Sequence, residues 1–313
     1  MPVLIYIFTL SFLYVPCAVI LLPQSWSWWE EYSSSSKSKT TFNHLHLFDD
    51  TLVLDSHRLS FALGGSIFLE CIFWSAQGLL LMITRSPSLF EKFTIKKTHV
   101  DYPNQTQIDT ALGELTVSHL ARPFLLWLFY PAWVARGCMT ATFPSLQEMC
   151  IHLIFSILID DTLFYWSHRL LHSNKWLYQT VHKQHHEFKY SVGLAVEYAH
   201  PVEDIFSNTL PTVAGGLLLG SHPAIIFSYM SLKMWQSIDA HSGFELPFPL
   251  SPFNVVVGMD CAPAHDYHHS HNVGNFGGFF TFWDWFCGTD KSYKRHLSKQ
   301  MSKRKELLQT KMQ

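Results

Sequence analysis

The 313-residue chain is 48% hydrophobic and 15% aromatic, with charged residues at only 15%, against roughly 25% in ordinary soluble proteins. A formal net charge of −2 excludes a general nucleic-acid binder, which would carry a basic surplus. The six Cys form no CxxC pair, which argues against a disulfide framework and a thiolate zinc module. The 19 His, nearly as many as the 22 Lys and Arg together, point to a membrane protein with metal chemistry.

The first element is the uncharged run 3–22, long enough at about 1.5 Å per residue to cross about 30 Å of hydrocarbon. No basic stretch precedes it and it is long for a signal peptide, so it is expected to be retained as an anchor. A second span is predicted over 61–83, with Glu70 as its one charge. A third, shorter and more polar, covers 119–138, and a fourth covers about 147–167 after a tight connection at Pro144. The run 205–240 is apolar but broken by Pro211, Gly215, Gly216, Gly220 and Pro223, which predicts a re-entrant or partly spanning hairpin. Lys291, Lys294, Arg295, Lys299, Lys303, Arg304, Lys305 and Lys311 make the tail basic, whereas Glu30, Glu31, Asp49, Asp50 and Asp55 make the loop 23–60 acidic. The positive-inside tendency then places the tail in the cytosol and that loop outside. The sequon at Asn104 would face the cytosol and stay unmodified. The expected fold is thus an all-α integral membrane protein of about four transmembrane helices plus a re-entrant hairpin, with a cytosolic helical cap. Its expected parts are a two-span anchor (1–85), a cytosolic loop with the third span (86–145), a catalytic region (146–290) and a basic cytosolic tail (291–313).

Three clusters hold most of the informative histidines: His168 and His172 in HRLLH, His182, His185 and His186 in HKQHH, and His265, His268 and His269 in HDYHH. On a helix, positions four apart differ by about 40° and positions three apart by about 60°, so each box can aim imidazoles at one point. Neutral imidazole suits Fe, Zn and Cu. Eight such groups exceed one tetrahedral ion and match two metal centres sharing a site.

These boxes resemble those of the fatty acid hydroxylase/sterol desaturase superfamily of integral-membrane di-iron enzymes. DTLFYWSHRLLH (161–172), HKQHHEFKYSVGLAVEYAHPVE (182–203), HDYHHSHNVGNFGGFFTFWDWFCGTD (265–290) and SPSLFEKF (86–93) are most similar to its C4-methylsterol oxidase branch. The resemblance runs from about residue 86 to 290. It implies that the eight box histidines are iron ligands, with His241 of DAHSGF as a ninth. His200 is carried over as a ligand or a hydrogen-bonding neighbour. It also implies two non-haem iron ions, O2 as co-substrate, and electrons from NAD(P)H through cytochrome b5 and its reductase. The substrate would be a membrane lipid or sterol, and the location the endoplasmic reticulum membrane, with the boxes facing the cytosol. The chemistry expected of the sterol branch is stepwise oxidation of a C4 methyl group.

Around the ligands, Asp161 lies seven residues before His168 and eleven before His172, about 20° from the ligand line on a helix. Asp161 is therefore expected to look towards the site, with Tyr165 on the same stripe, while Asp160 points about 100° away. Glu203 and Asp266 are the other carboxylates expected near metal-bound imidazoles. Phe164, Trp166, Trp235 and the aromatic run 279–285 could wall a lipid cavity. Within the same superfamily, a fatty acyl or sphingoid hydroxylase or a desaturase would use the same boxes. A metal carrier would sooner place its ligands at mid-membrane, and a zinc hydrolase would show HExxH.

Overall fold

A computed structural model describes residues 56–95, 102–140, 142–247, 250–251, 258–259 and 262–312. The expected first span, 3–22, lies outside these residues. The principal helices are α1 (Ser56–Thr84), α2 (Gln105–Ala135), α3 (Leu146–Ser173), α4 (Leu210–Leu219), α5 (Pro223–Ala240), α6 (Ala262–His271), α7 (Phe282–Cys287) and α8 (Lys291–Met312). Among the described residues there is no β-strand, only the isolated bridges Thr94–Phe244 and Met259–Phe280.

The helix starts follow local chemistry. Asn104 opens α2 through a reciprocal cap, its Oδ1 accepting from the Gln107 N–H at 2.9 Å while Gln107 Oε1 accepts from the Asn104 N–H at 3.0 Å. Two orphan donors are satisfied at once. Ser145 Oγ accepts the Glu148 N–H at the start of α3. Beyond the end of α3, Asn174 Oδ1 accepts from Trp176 and Leu177 and starts the next turn.

His57–Thr84 of α1 and Leu146–Ser173, the whole of α3, are long and apolar enough to cross a membrane. Of the expected third span, 119–138, residues 119–135 are helical within α2, which contains Pro123 and Pro131 and is not one of the two helices of span character. The broken run 205–240 forms α4 and α5 around a turn at Gly220. The ten residues of α4 rise only about 15 Å, half the hydrocarbon thickness.

The chain divides into two compact units. The described part of the first comprises 56–78, 112–140, 142–160 and 210–235. Its core holds Phe61, Trp133, Cys138 and Ile226, with Tyr130 and Phe227 packed against them. Gly215 sits where a Cβ would lie 2.5 Å from the Cα of Ser156, so α4 approaches α3 as only a residue without a side chain allows. Two carboxylates in the helices of this unit are paired. Glu70 meets Arg122 at 2.6 Å and His119 at 2.8 Å. Asp160 accepts from Tyr229 at 2.7 Å and pairs with Lys233 at 3.3 Å.

The described part of the second comprises 79–95, 102–111, 161–209, 236–247, 250–251, 258–259 and 262–312. Apart from α8 and the ends of α1, α2 and α3, its helices are short and its chain irregular, with π-helical turns at Tyr178–His182 and Asp204–Thr209. The segment 93–95 pairs with 243–245 through Ile95 N–H to Gly243 O at 3.0 Å and Glu245 N–H to Phe93 O at 2.8 Å. This tie fixes the chain immediately after His241.

Candidate metal centre

Within the second unit, nine imidazoles converge in two groups. His168, His172, His182, His186 and His268 form one, and His185, His241, His265 and His269 the other; in each group the nitrogens lie within 4.8 Å of one another. The boxes divide between the groups by spacing. The pairs four apart (168/172, 182/186 and 265/269) stay together, while the third member of each HxxHH box, His185 or His268, joins the opposite group. One turn separates residues four apart and aims them at one point; residues three apart diverge enough to serve a second. The π turn before His182 is recorded by the Lys183 N–H to Tyr178 O bond at 2.7 Å.

Backbone carbonyls set the tautomers. His168 Nδ1 donates to Phe276 O at 3.0 Å and His268 Nδ1 to Gly274 O at 2.7 Å. In the other group, His185 Nδ1 donates to Tyr198 O at 3.2 Å and His241 Nδ1 to Ser237 O at 2.8 Å. A carbonyl can only accept, so in these four neutral rings Nδ1 carries the proton and Nε2 bears a lone pair. His182 Nδ1 lies 2.8 Å from Glu203 Oε1.

The Nε2 atoms then crowd together. Those of His172, His182 and His186 form a triangle of 2.8, 3.1 and 3.0 Å. His265 Nε2 lies 2.9 Å from that of His241 and 3.1 Å from that of His269, and His241 Nε2 lies 3.3 Å from that of His185. His168 Nε2 and His268 Nε2 are buried with no hydrogen-bond partner. Converging buried lone pairs need a cation between them, and imidazole nitrogen is a donor that first-row transition metals accept. The residues fit a pair of such ions.

Electrostatics agree. Burial first, and neighbouring imidazoles second, hold His182, His186, His265, His268 and His269 well below the ordinary value of 6.5. Burial pulls His185 down to about 4. The rings are therefore neutral at physiological pH and available as ligands. Burial and nearby Asp204 push the Glu203 carboxyl up; a cation on His182 would draw it back towards carboxylate.

The loop after the third box carries two of the carbonyls, at Gly274 and Phe276, and two carboxylates pin it. Asp161 Oδ1 accepts from the N–H groups of Phe279 (2.9 Å) and Phe280 (2.8 Å). Asp284 accepts from Phe276 (2.9 Å), Gly277 (2.7 Å) and the Thr289 hydroxyl (2.6 Å). Gly274 has φ +64, and a Cβ there would collide with the Thr289 carbonyl. Asp284 and the accepting carbonyls were not singled out from the sequence. Only the glycine-rich run NVGNFGG and the following WD signalled a built loop.

Other sequence candidates lie elsewhere. His200 is outside both groups, its Nδ1 accepting the Val202 N–H as a helix cap. Tyr165 is fully buried, its hydroxyl 3.1 Å from Thr289 Oγ1 and its ring stacked on Trp283. Asp266 is buried on α6 beside His265. His271, which by its place three residues past His268 could face the same site, is exposed and stacks on Tyr267. Phe164 lines a small cavity that also touches His168, His182, His185, His241 and His265, whereas Trp166, Phe282 and Trp285 are exposed.

Residues 153–289 match the family model for fatty acid hydroxylase. A very-long-chain aldehyde decarbonylase of Oryza sativa subsp. indica is 34% identical over 239 residues, 75% of this chain and 86% of that relative. The chain belongs to the fatty acid hydroxylase superfamily. Methylsterol monooxygenase 2-2 of Arabidopsis thaliana is 40% identical over 176 residues, 55% of this chain and 64% of that relative. Methylsterol monooxygenase 2-1 of the same plant is 36% identical over 186 residues, 55% and 67% of the two chains. No solved structure matches. Membership makes the chain an oxidoreductase of the monooxygenase type, in a superfamily of iron-dependent hydroxylases acting in lipid metabolism. All nine clustered histidines lie inside the matched region.

Proposed function

We propose that the nine clustered histidines hold two iron ions and that the chain oxidises an unactivated C–H bond of a membrane lipid, the C4 methyl group of a sterol being the favoured target. The observation that carries this is the pair of groups in which carbonyl-fixed tautomers turn Nε2 lone pairs towards one another. The 40% identity to an Arabidopsis methylsterol monooxygenase supports the sterol target. The longer alignment to a rice aldehyde decarbonylase supports, as a second reading, oxidation of a long-chain acyl-type substrate.

When bound, the iron pair supplies the redox chemistry that couples O2 to C–H oxidation. The protein's own part is positional. The carbonyls of Gly274, Phe276, Tyr198 and Ser237 orient the ligands, and Glu203 holds His182. The Phe276 ring, 5.1–5.6 Å from those of His168, His172 and His268, screens the first group from water.

Electrons would come from NAD(P)H through cytochrome b5 and its reductase, since the sequence contains neither a GxGxxG nor a haem-attachment CxxCH motif. In the proposed topology, four crossings and the α4–α5 hairpin sit in the endoplasmic reticulum membrane with the boxes and the basic tail in the cytosol. The parts are the anchor (1–85), the loop and third span (86–145), the catalytic region (146–290) and the tail (291–313). Sterol profiling of a strain lacking the protein tests the substrate. Accumulated 4-methylsterols are the expected result; unchanged sterols with altered long-chain aldehydes or hydroxylated acyl chains would transfer the assignment to the second reading.

A further inference from the structure

The helix α7 has a seated side and an open one. Asp284 accepts from Phe276 and Gly277, and Trp283 stacks on Tyr165 and donates from Nε1 to Thr162 Oγ1 at 3.3 Å. These contacts seat α7 against the C-terminal part of α3. On the open side Phe282, Trp285 and Phe286 are exposed, the last two to 63% and 66%. Trp166 and Leu170 of α3 are exposed as well, and the Trp166 ring meets that of Trp283 at 5.7 Å. So much large apolar surface in one place marks contact with an apolar medium or partner. Because α3 is long and apolar enough to cross a membrane, the adjoining rings match the aromatic belt that forms where a span leaves the hydrocarbon.

Gly288 closes α7 at φ +69, and α8 begins at Lys291. Its first turns are held on α6, where the Tyr267 ring lies 5.3 Å from that of Tyr293 and 4.9 Å from that of His296. From Leu297 to Thr310 every residue is exposed. Helices in proteins draw most of their stability from a packed face, and this stretch has none among the described residues. Between Lys291 and Thr310 there are seven Lys or Arg, all exposed, and one acid, Glu306. At about 100° per residue, Leu297, Met301 and Leu308 fall within about 40° of one another. Lys294, which also pairs with Asp290, borders this stripe together with Arg304 and Lys305, all within about 60° of its centre. Lys299 and Lys303 lie about 140–180° away. An apolar stripe edged by long cationic side chains is the pattern of a helix that lies in a membrane surface.

An acidic soluble protein would satisfy the cations of α8 and leave the apolar side chains of α7 and α3 in water. A bilayer surface with anionic headgroups meets both. We propose that α7 and α8 form an interfacial anchor: Phe282, Trp285 and Phe286 enter the headgroup–acyl boundary beside α3, and α8 lies on anionic lipid headgroups of the same leaflet with Leu297, Met301 and Leu308 turned into the surface. The inference goes beyond the oxygenase reading and does not depend on it.

The test is amide hydrogen exchange of the full chain in nanodiscs of phosphatidylcholine alone and of phosphatidylcholine with about one third phosphatidylserine. The amides of 297–310 are expected to exchange about tenfold or more slowly in the anionic discs, each cation at such a surface contributing about fivefold to binding. Salt at about 0.5 M, which shortens the screening length to about 4 Å, should remove most of that protection. Arg304→Gln with Lys305→Gln should remove most of it too, whereas Lys299→Gln with Lys303→Gln, on the opposite face, should leave the larger part. Trp285→Phe should remove part of the fluorescence that lipids brominated near the headgroup quench. Equal exchange in the two discs, equal loss from the two pairs of substitutions, or quenching that Trp285→Phe leaves unchanged overturns the proposal. Protection that arises only on adding polyglutamate also overturns it and would give α8 to an acidic protein instead.

Discussion

Glu203 and Asp284 are buried carboxylates with different duties. Glu203 touches a clustered imidazole directly, at 2.8 Å from His182 Nδ1. Removing a carboxylate that orients a metal-bound histidine typically costs about 10–100-fold in metal affinity. Glu203→Gln is therefore expected to lower iron affinity by that factor with the fold retained, as read by chelator competition; an unchanged affinity would deny Glu203 its orienting role. Asp284 acts one step further away, through the loop it pins at Phe276 and Gly277. Asp284→Ala leaves two buried N–H groups without their acceptor, at roughly 1–3 kcal/mol each. It should lower the melting temperature and the iron content together, and Asp284→Asn, which keeps one acceptor oxygen, should recover part of both. Recovery of stability without recovery of iron would separate the loop from the metal centre. The helical wheel gave Asp161 a direction from sequence; what occupies that direction is the Phe279–Phe280 backbone, and backbone atoms leave no residue-type signature.

At the scale of elements, the division of each HxxHH box between the two groups carries the sharpest consequence. His268 belongs to the five-membered group and His185 to the four-membered one. His268→Ala and His185→Ala should each weaken mainly one ion, so that iron falls from about two towards about one per chain, and only the double variant should approach zero. Complete loss in both single variants would mean that the groups act as one indivisible site. The sequence spacing showed that the boxes aim imidazoles at a shared site, but it read each box as serving one point and did not show the division of an HxxHH box between two groups. The opposing carbonyls were not legible: Tyr198, Gly274 and Phe276 belong to irregular segments whose path no periodicity encodes. The two apolar helices with span character, α1 and α3, follow from long hydrophobic runs broken by few charges, Glu70 in α1 and Asp160–Asp161 in α3 among them. The run 205–240 was legible as broken at Gly220 and Pro223, where α4 has stopped and α5 starts, whereas Pro211, Gly215 and Gly216 lie inside α4.

For the whole molecule, the nine histidines concentrate an acid sensitivity. His185 holds a pKa of about 4 in the fold against 6.5 as an ordinary imidazole. Between these values the unfolded chain binds a proton that the folded chain refuses, so stability falls as pH drops through this window and is unaffected above 6.5. The gap corresponds to about 3 kcal/mol for this ring alone, and its neighbours are held low in the same direction. Metal-free protein should therefore denature more readily in urea at pH 5 than at pH 7.5, and His185→Asn should reduce that difference; no pH dependence would contradict the buried neutral state. Of the 19 His in the chain, nine thus gather in one centre. Quantitative metal analysis of the purified full chain, combined with spectroscopy before and after reduction, tests this centre most directly. About two redox-active irons per chain is the result the proposed function predicts. A single zinc per chain, unresponsive to reductant, would contradict it.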